Sequence, residues 1–182
     1  MNLIYGDSHV RRLQLRGFLK LFKGGRKARS CTEDTDWPEM MKRVTTAENI
    51  VIVLGSNDVE CTAHGERIIE SLQNVCNKIR AVSPTVRIFV TDFWRRSSYS
   101  AGQIDIRLRV NSLLTKTKAE ILRVAKLIRP NHLGKDGVHL NGSGNDVLRK
   151  AILDAVPNSR NEPRTRRKTI PRNVADRKDS LT

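Results

Sequence analysis

The sequence predicts an α/β protein with a parallel sheet and helices packed on both of its faces. Three observations carry that prediction. Short apolar segments alternate with longer segments of helical periodicity along residues 1–156, the order that builds parallel sheets. The clearest short segment, Asn49-Ile50-Val51-Ile52-Val53-Leu54, is a β-branched run without polar alternation, the pattern of a strand covered on both faces. A length of 182 residues, 38% of them hydrophobic, suffices for one domain with a proper core but not for two full ones. Aromatics make up only 4%, so that core rests on Val, Ile and Leu.

Residues 2–5 read as the first strand. It stops at Gly6-Asp7-Ser8, where Asp and Ser turn back onto their own backbone and Gly tolerates a positive φ. Residues 10–16 read as a short helix and residues 18–22 as a second strand, ended by Gly24-Gly25. Asp36-Trp37-Pro38 opens a helix with an acidic N-cap and Pro in the first turn. Residues 49–54 are the third strand. Over residues 63–82, Ile68, Ile69, Leu72, Val75, Cys76 and Ile79 recur at helical spacing, and Pro84 closes that helix. Residues 86–92 form a fourth strand, followed by a basic, Ser-rich loop over 94–102 and a helix over 104–118. Residues 121–124 read as a weaker strand or a continued helix. A loop over 129–142 precedes a final amphipathic helix over 143–155. After Pro157 the chain has almost no apolar residues and is punctuated by Pro163 and Pro171. Such a segment cannot bury enough surface to order itself, so residues 157–182 are expected to be a disordered tail to a 1–156 domain.

Lys and Arg number 34 against 19 Asp and Glu, a net charge of +15. Eight basic residues and no acidic one fall between His9 and Ser30, and the tail carries eight more against three acidic ones. A charge of that size favours polyanions, nucleic acid first and anionic membrane second. The candidate nucleic-acid contacts are Arg11, Arg12 and Arg16 in the first segment, Arg95 and Arg96 after Trp94, and Arg164, Arg166, Arg167 and Lys168 in the tail. Trp94-Arg95-Arg96 suits base stacking and phosphate contact; a loop aromatic that caps the core would read the same way. The longest purely aliphatic run, Ile50-Val51-Ile52-Val53-Leu54, is far short of the ~20 residues of a membrane span. No basic region followed by a long apolar stretch opens the chain, so no signal peptide is visible and an intracellular setting, cytosolic or nuclear, is expected. Cys31, Cys61 and Cys76 are odd in number and widely spaced, which fits reduced packing residues better than a disulfide framework.

Right-handed crossovers gather the strand-to-helix loops at one edge of a parallel sheet, at the carboxyl ends of its strands, where such folds bind ligands. Three segments expected at that edge carry complementary chemistry. Gly6-Asp7-Ser8 follows the first strand, Gly55-Ser56-Asn57-Asp58 follows the third, and Asp136-Gly137-Val138-His139 precedes the last helix. A serine hydroxyl is a poor nucleophile until an adjacent base takes its proton. A histidine does that near neutral pH once another group fixes its tautomer and orientation. Asp136 stands three residues before His139, within reach of its Nδ1. Ser8 at the start of a helix is close to amide N–H groups that lack intrahelical partners, and the Asn57 amide is a further donor where negative charge develops. Asp7 and Asp58 read as structural, tying loops to backbone. His9 is expected at a helix start facing solvent or substrate, and His64 near a helix N-terminus without a chemical role. His132 is near Asp136 and His139 in sequence, but no fourth ligand accompanies them, so no metal site is assigned.

Together these blocks make residues 1–156 resemble the SGNH hydrolases, the GDSL-type esterases. The resemblance implies a three-layer α/β/α sandwich with a flavodoxin-like sheet. It also implies a serine esterase that takes a small acyl or acetyl ester and needs no metal or organic cofactor. Matched block by block, Ser8 is the nucleophile, His139 the base and Asp136 its acidic partner. The oxyanion hole takes the Ser8 amide, Asn57 and a lone glycine after the second strand, which Gly24 and Gly25 match equally well. His9-Val10-Arg11-Arg12 departs from the small and aliphatic residues usual after the nucleophile in secreted esterases. The pair GDSHVRRL and DGVHLN is more similar to SGNH-like domains encoded within animal mobile elements. A second class of function stays open, a nucleic-acid-binding module on this fold with hydrolysis incidental or absent. The intact Ser8, Asp136 and His139 set argues against lost catalysis.

Overall fold

The computed structural model describes residues 1–156; the basic tail, with Arg164, Arg166, Arg167 and Lys168, lies outside the described residues. Five strands, β1 (Asn2–Gly6), β2 (Phe18–Phe22), β3 (Asn49–Val53), β4 (Arg87–Thr91) and β5 (Glu120–Leu122), form one sheet in the order β2-β1-β3-β4-β5. Every neighbouring pair is parallel. This is the flavodoxin-like order, which reverses direction between β1 and β3 and leaves a crevice at the carboxyl ends of those two strands. Gly6 pairs with Phe22 on one side and Val53 on the other, so the three strands end level at that crevice.

The helices are α1 (Ser8–Arg11), α2 (Trp37–Val44), α3 (Gly65–Val82), α4 (Ala101–Leu113) and α5 (Gly142–Ala155). Because side chains alternate across a strand, the sheet feeds two cores. Leu3, Tyr5, Ile50, Ile52, Ile88 and Val90 meet Met40 of α2, Ile68 and Leu72 of α3 and Val110 of α4. Ile4, Val51, Val53 and Phe89 meet Val10 of α1 and Leu148 and Ile152 of α5. The result is the expected three layers, with α2, α3 and α4 on one face and α1 and α5 on the other. No helix among the described residues is long and apolar enough to cross a membrane.

Three boundaries differ from the sequence expectation, each for a local reason. The first helix covers Ser8–Arg11 rather than 10–16, because Asp7 caps it from one residue ahead and the following chain must lay Leu13 and Leu15 into the core. The helix expected over 104–118 begins at Ala101, where the Ser100 side chain accepts from Gln103 N and the Gln103 side chain accepts from Ser100 N. That reciprocal pair is a capping box. The same helix ends at Leu113, tightens into a 3₁₀ turn over Leu114–Thr117, and stops where Lys118 adopts a left-handed φ of 56°. The ambiguous segment after it is a strand, shifted to Glu120–Leu122.

Candidate active site

β1 can turn into α1 as abruptly as it does only through glycine. A Cβ on Gly6 would lie 2.5 Å from Val10 Cγ2 and 2.6 Å from the Val53 carbonyl oxygen. Asp7 N then donates to Val53 O at 3.2 Å, and Asp7 Oδ1 accepts from His9 N at 3.0 Å, capping α1 and leaving Ser8 as its first residue. Ser8 Oγ lies 3.0 Å from His139 Nε2, and His139 Nδ1 lies 2.6 Å from Asp136 Oδ2. The other carboxylate oxygen of Asp136 accepts from Val138 N and His139 N, each at 3.0 Å. The bond from His139, followed by these two backbone amides, holds the Asp136 carboxyl well below the usual carboxylate range. An ionised Asp136 accepts from Nδ1–H, which leaves Nε2 free to accept the Ser8 hydroxyl proton. The side chains of His139 and Asp136 are 44% and 51% exposed, so the site is open. Gly137, at φ 65°, closes the turn between them, and its carbonyl accepts from Ser97 N at 2.8 Å.

Asn57 is held at both ends of its amide. Nδ2 donates to the Arg26 carbonyl at 3.0 Å and to Asp7 Oδ2 at 3.3 Å, and Oδ1 accepts from an Arg96 Nη at 2.9 Å. The Arg96 side chain is only 2% exposed; it also donates to Ser56 Oγ and pairs with Glu60, both at 2.8 Å. Arg96 therefore cannot be the nucleic-acid contact expected from sequence: its guanidinium is enclosed and committed to bracing the 55–58 loop. Arg95 beside it is exposed. Trp94 is buried in the α1/α5-side core, so it caps the core and offers no free stacking face.

His9 corrects a second expectation. Its ring is buried, edge-on to Trp94 at 4.8 Å between centroids and 5.7 Å from the His139 ring. Neither ring nitrogen has a hydrogen-bond partner among the described residues. Burial, then the positive field of Arg96, pushes its pKa down to about 3, so the ring is neutral. Asp7 is buried too, and its pKa is raised by desolvation against the opposing pull of His9 N–H, Arg96 and Ser56. Asp7 and Asp58 are both tied to neighbouring loops: Asp58 accepts from Ala28 N at 2.7 Å and Arg29 N at 3.3 Å.

Sequence reasoning missed Arg26. Its buried guanidinium donates to Gly6 O at 2.9 Å, to Asp34 at 2.8 Å and to Asp36, and lies 4.2 Å over the Tyr5 ring. Through its own carbonyl it receives Asn57, so it fastens the loop after β2 to the ends of β1 and β3. The available signal was the closely spaced Asp34 and Asp36, which need a nearby cation. Gly24 and Gly25 form the turn that follows Lys23, whose amide donates to Gly6 O at 3.2 Å, and this puts them at the same edge as Ser8. Gly25 takes φ 69°, and a Cβ on either residue would meet nothing within 4 Å. Arg11, Arg12 and Arg16 are exposed. Among the described residues no three His, Cys, Asp or Glu side chains gather as a metal site; His132 Nδ1 accepts from Arg129 N. Cys31 and Cys76 are buried and Cys61 is exposed, all three as free thiols.

No protein-family model matches the chain, and no curated protein matches it in sequence. Solved structures do share its fold. The lipase Lip_vut3 from a goat rumen metagenome is 13% identical with a TM-score of 0.69 over 83% of this chain and 94% of its own. A protein described as a GDSL-like lipase from Parabacteroides merdae is 13% identical, TM-score 0.66, over 84% and 93%. A carbohydrate esterase family 3 protein from Talaromyces cellulolyticus is 16% identical, TM-score 0.66, over 84% and 94%. At such identities the likeness speaks for architecture, and the chain has the α/β fold of GDSL-type lipases and esterases.

Proposed function

We propose that the protein is a serine ester hydrolase of the SGNH type, acting on a small acyl or acetyl ester. The observation that carries this reading is the continuous chain from Ser8 Oγ to His139 at 3.0 Å and on to Asp136 at 2.6 Å. In the proposed reaction His139 Nε2 takes the hydroxyl proton as Ser8 Oγ bonds to the ester carbonyl carbon, and the carbonyl π pair moves onto oxygen. Asp136 stabilises the imidazolium that results. The Ser8 amide, the Asn57 amide and the N–H of Gly24 or Gly25 receive the oxyanion. Asn57 does so by giving up its longer bond, the 3.3 Å contact with Asp7. Collapse of the intermediate breaks the ester C–O bond, and His139 returns the proton to the leaving alkoxide. Water, deprotonated by the same nitrogen, then cleaves the acyl-enzyme and restores Ser8. The narrower likeness of GDSHVRRL and DGVHLN to SGNH-like domains of animal mobile elements, and an intracellular setting, belong to the same proposal.

Turnover of a p-nitrophenyl ester series by wild type, Ser8→Ala and Asn57→Ala tests it. Ser8→Ala is expected to lose roughly 10³-fold or more in kcat. Asn57→Ala is expected to lose about 10²–10³ with KM little changed, the usual cost of one oxyanion donor. Folded Ser8→Ala protein that turns over like wild type would dismiss the reading.

A further inference from the structure

The basic residues of the first segment do not share one environment. Lys23 and Arg26 are paired with Asp34 and Asp36. On other faces Arg43, Arg87 and Arg109 each pair with a glutamate at 2.6–2.9 Å. Arg12 and Arg16, by contrast, are exposed and have no acidic partner among the described residues. Lys20 gives its ammonium to two carbonyls, Leu13 O at 2.9 Å and Arg11 O at 3.3 Å, which leave its charge uncompensated. These three cations come from the turn after α1 and from the edge strand β2. They face Arg149 of α5 across a groove of about 1220 Å³. The one carboxylate in its lining among the described residues, Asp146, lies 3.4 Å from Arg149 Nε and is itself exposed. Four cations thus stand against one acid in a concavity, which focuses positive potential.

We infer that this groove binds single-stranded nucleic acid through its phosphodiester backbone. Its shape separates a strand from the other polyanion in question. Walled by α5 on one side and by residues 12–16 with Lys20 of β2 on the other, it is an open concavity along which a single chain can lie, whereas a flat anionic membrane would touch only its rim. Leu153 is the exposed apolar side chain of the lining, Leu13 and Leu15 being buried beneath it, and no aromatic lines it among the described residues. Without a stacking platform the contacts go to phosphates, so binding is insensitive to sequence. The groove also has a direction. Arg12 stands four residues after Ser8, about one helical turn or ~6 Å along the axis, and Gly142 at the other wall follows His139 by three residues. Along the chain, the groove lining thus begins within a few residues of both Ser8 and His139. The proposed hydrolase would be held on a nucleic acid with its site beside the strand.

Binding of a labelled uridine homopolymer to the full chain, followed by fluorescence anisotropy between ~50 and ~200 mM salt, tests the inference. The readout is binding alone, so it stands apart from whether Ser8 is a nucleophile. The triple variant Arg12→Gln/Arg16→Gln/Arg149→Gln is compared with Arg43→Gln/Arg87→Gln/Arg109→Gln, which removes the same charge from other faces. Each lost phosphate contact on a single strand flattens the log–log salt slope by ~0.7. The groove variant is therefore expected to flatten it by about 2, and the control to keep the wild-type slope. If the groove triple melts early, single Arg12→Gln and Arg149→Gln variants are each expected to flatten it by ~0.7. Equal effects in groove and control variants would overturn the inference, because binding would then follow net charge. So would an unchanged slope, an absence of binding, or capture by phosphatidylserine vesicles in place of the homopolymer.

Discussion

His9 ties the surroundings of Ser8 to pH through one buried ring. Its pKa falls from 6.5 to about 3 on folding, so between those values the unfolded chain carries a proton there that the folded chain does not. Stability should fall as pH drops below about 6.5, by up to ~1.4 kcal/mol per pH unit, and His9 adds no slope above that value. The raised pKa of Asp7 acts with the opposite sign, since a folded carboxyl that holds its proton longer favours the fold as acid is added. His9→Phe keeps an aromatic ring against Trp94 and leaves Asp7 in place. Urea unfolding at about pH 7 and about pH 5 should then show a loss in wild type that is larger than in His9→Phe by roughly 2 kcal/mol. Equal losses would mean that the ring titrates alike in both states. The burial of His9 and Arg96 was not legible in the sequence, because the same residue types on the same loops can face water. Arg96 is enclosed by Ser56, Asn57 and Glu60, which lie 36–40 residues away along the chain. The gathering of Ser8, Asn57, Asp136 and His139 at one edge was legible because the strand-to-helix loops of a parallel sheet meet there.

The elements that matter most for the site are the abrupt junction of β1 with α1 and the loop after β4. At the first, the glycine of Gly6-Asp7-Ser8 is required by packing, since φ there is ordinary and the space for a side chain is already taken by Val10 and Val53. Gly6→Ala should destabilise the protein by ~1–3 kcal/mol as the junction is forced apart. Chemical denaturation reads this directly, and a cost within ~0.5 kcal/mol would mean that α1 can shift away freely. At the second, residues 94–100 stitch the two halves of the site together: Tyr99 OH donates to Ser56 O at 3.0 Å and Ser97 N to Gly137 O at 2.8 Å. Periodicity located the long helices and the buried strands well, because both depend on repeated apolar positions. It misjudged α1 and the start of α4, where single capping side chains, Asp7 and Ser100, decide the boundary.

At the scale of the whole molecule, strand alternation predicted the parallel sheet. The five-stranded order puts the chain reversal between β1 and β3, so Ser8 and Asn57 emerge on either side of the crevice that reversal creates. The charge of +15 was legible as a total but not as a distribution: the ion pairs of Arg26, Arg43, Arg87 and Arg109, and their absence around Arg12, Arg16 and Lys20 among the described residues, follow from which chain segments meet. The central claim, that Ser8 is an activated nucleophile, is tested most directly by a fluorophosphonate probe at neutral pH. Its phosphorus bonds to an activated serine Oγ as fluoride leaves, and peptide mass spectrometry locates the adduct. The account predicts a single adduct on the peptide that contains Ser8, lost in Ser8→Ala and slowed in His139→Ala. A folded wild-type protein that stays unlabelled, or that is labelled elsewhere with Ser8 untouched, would contradict it.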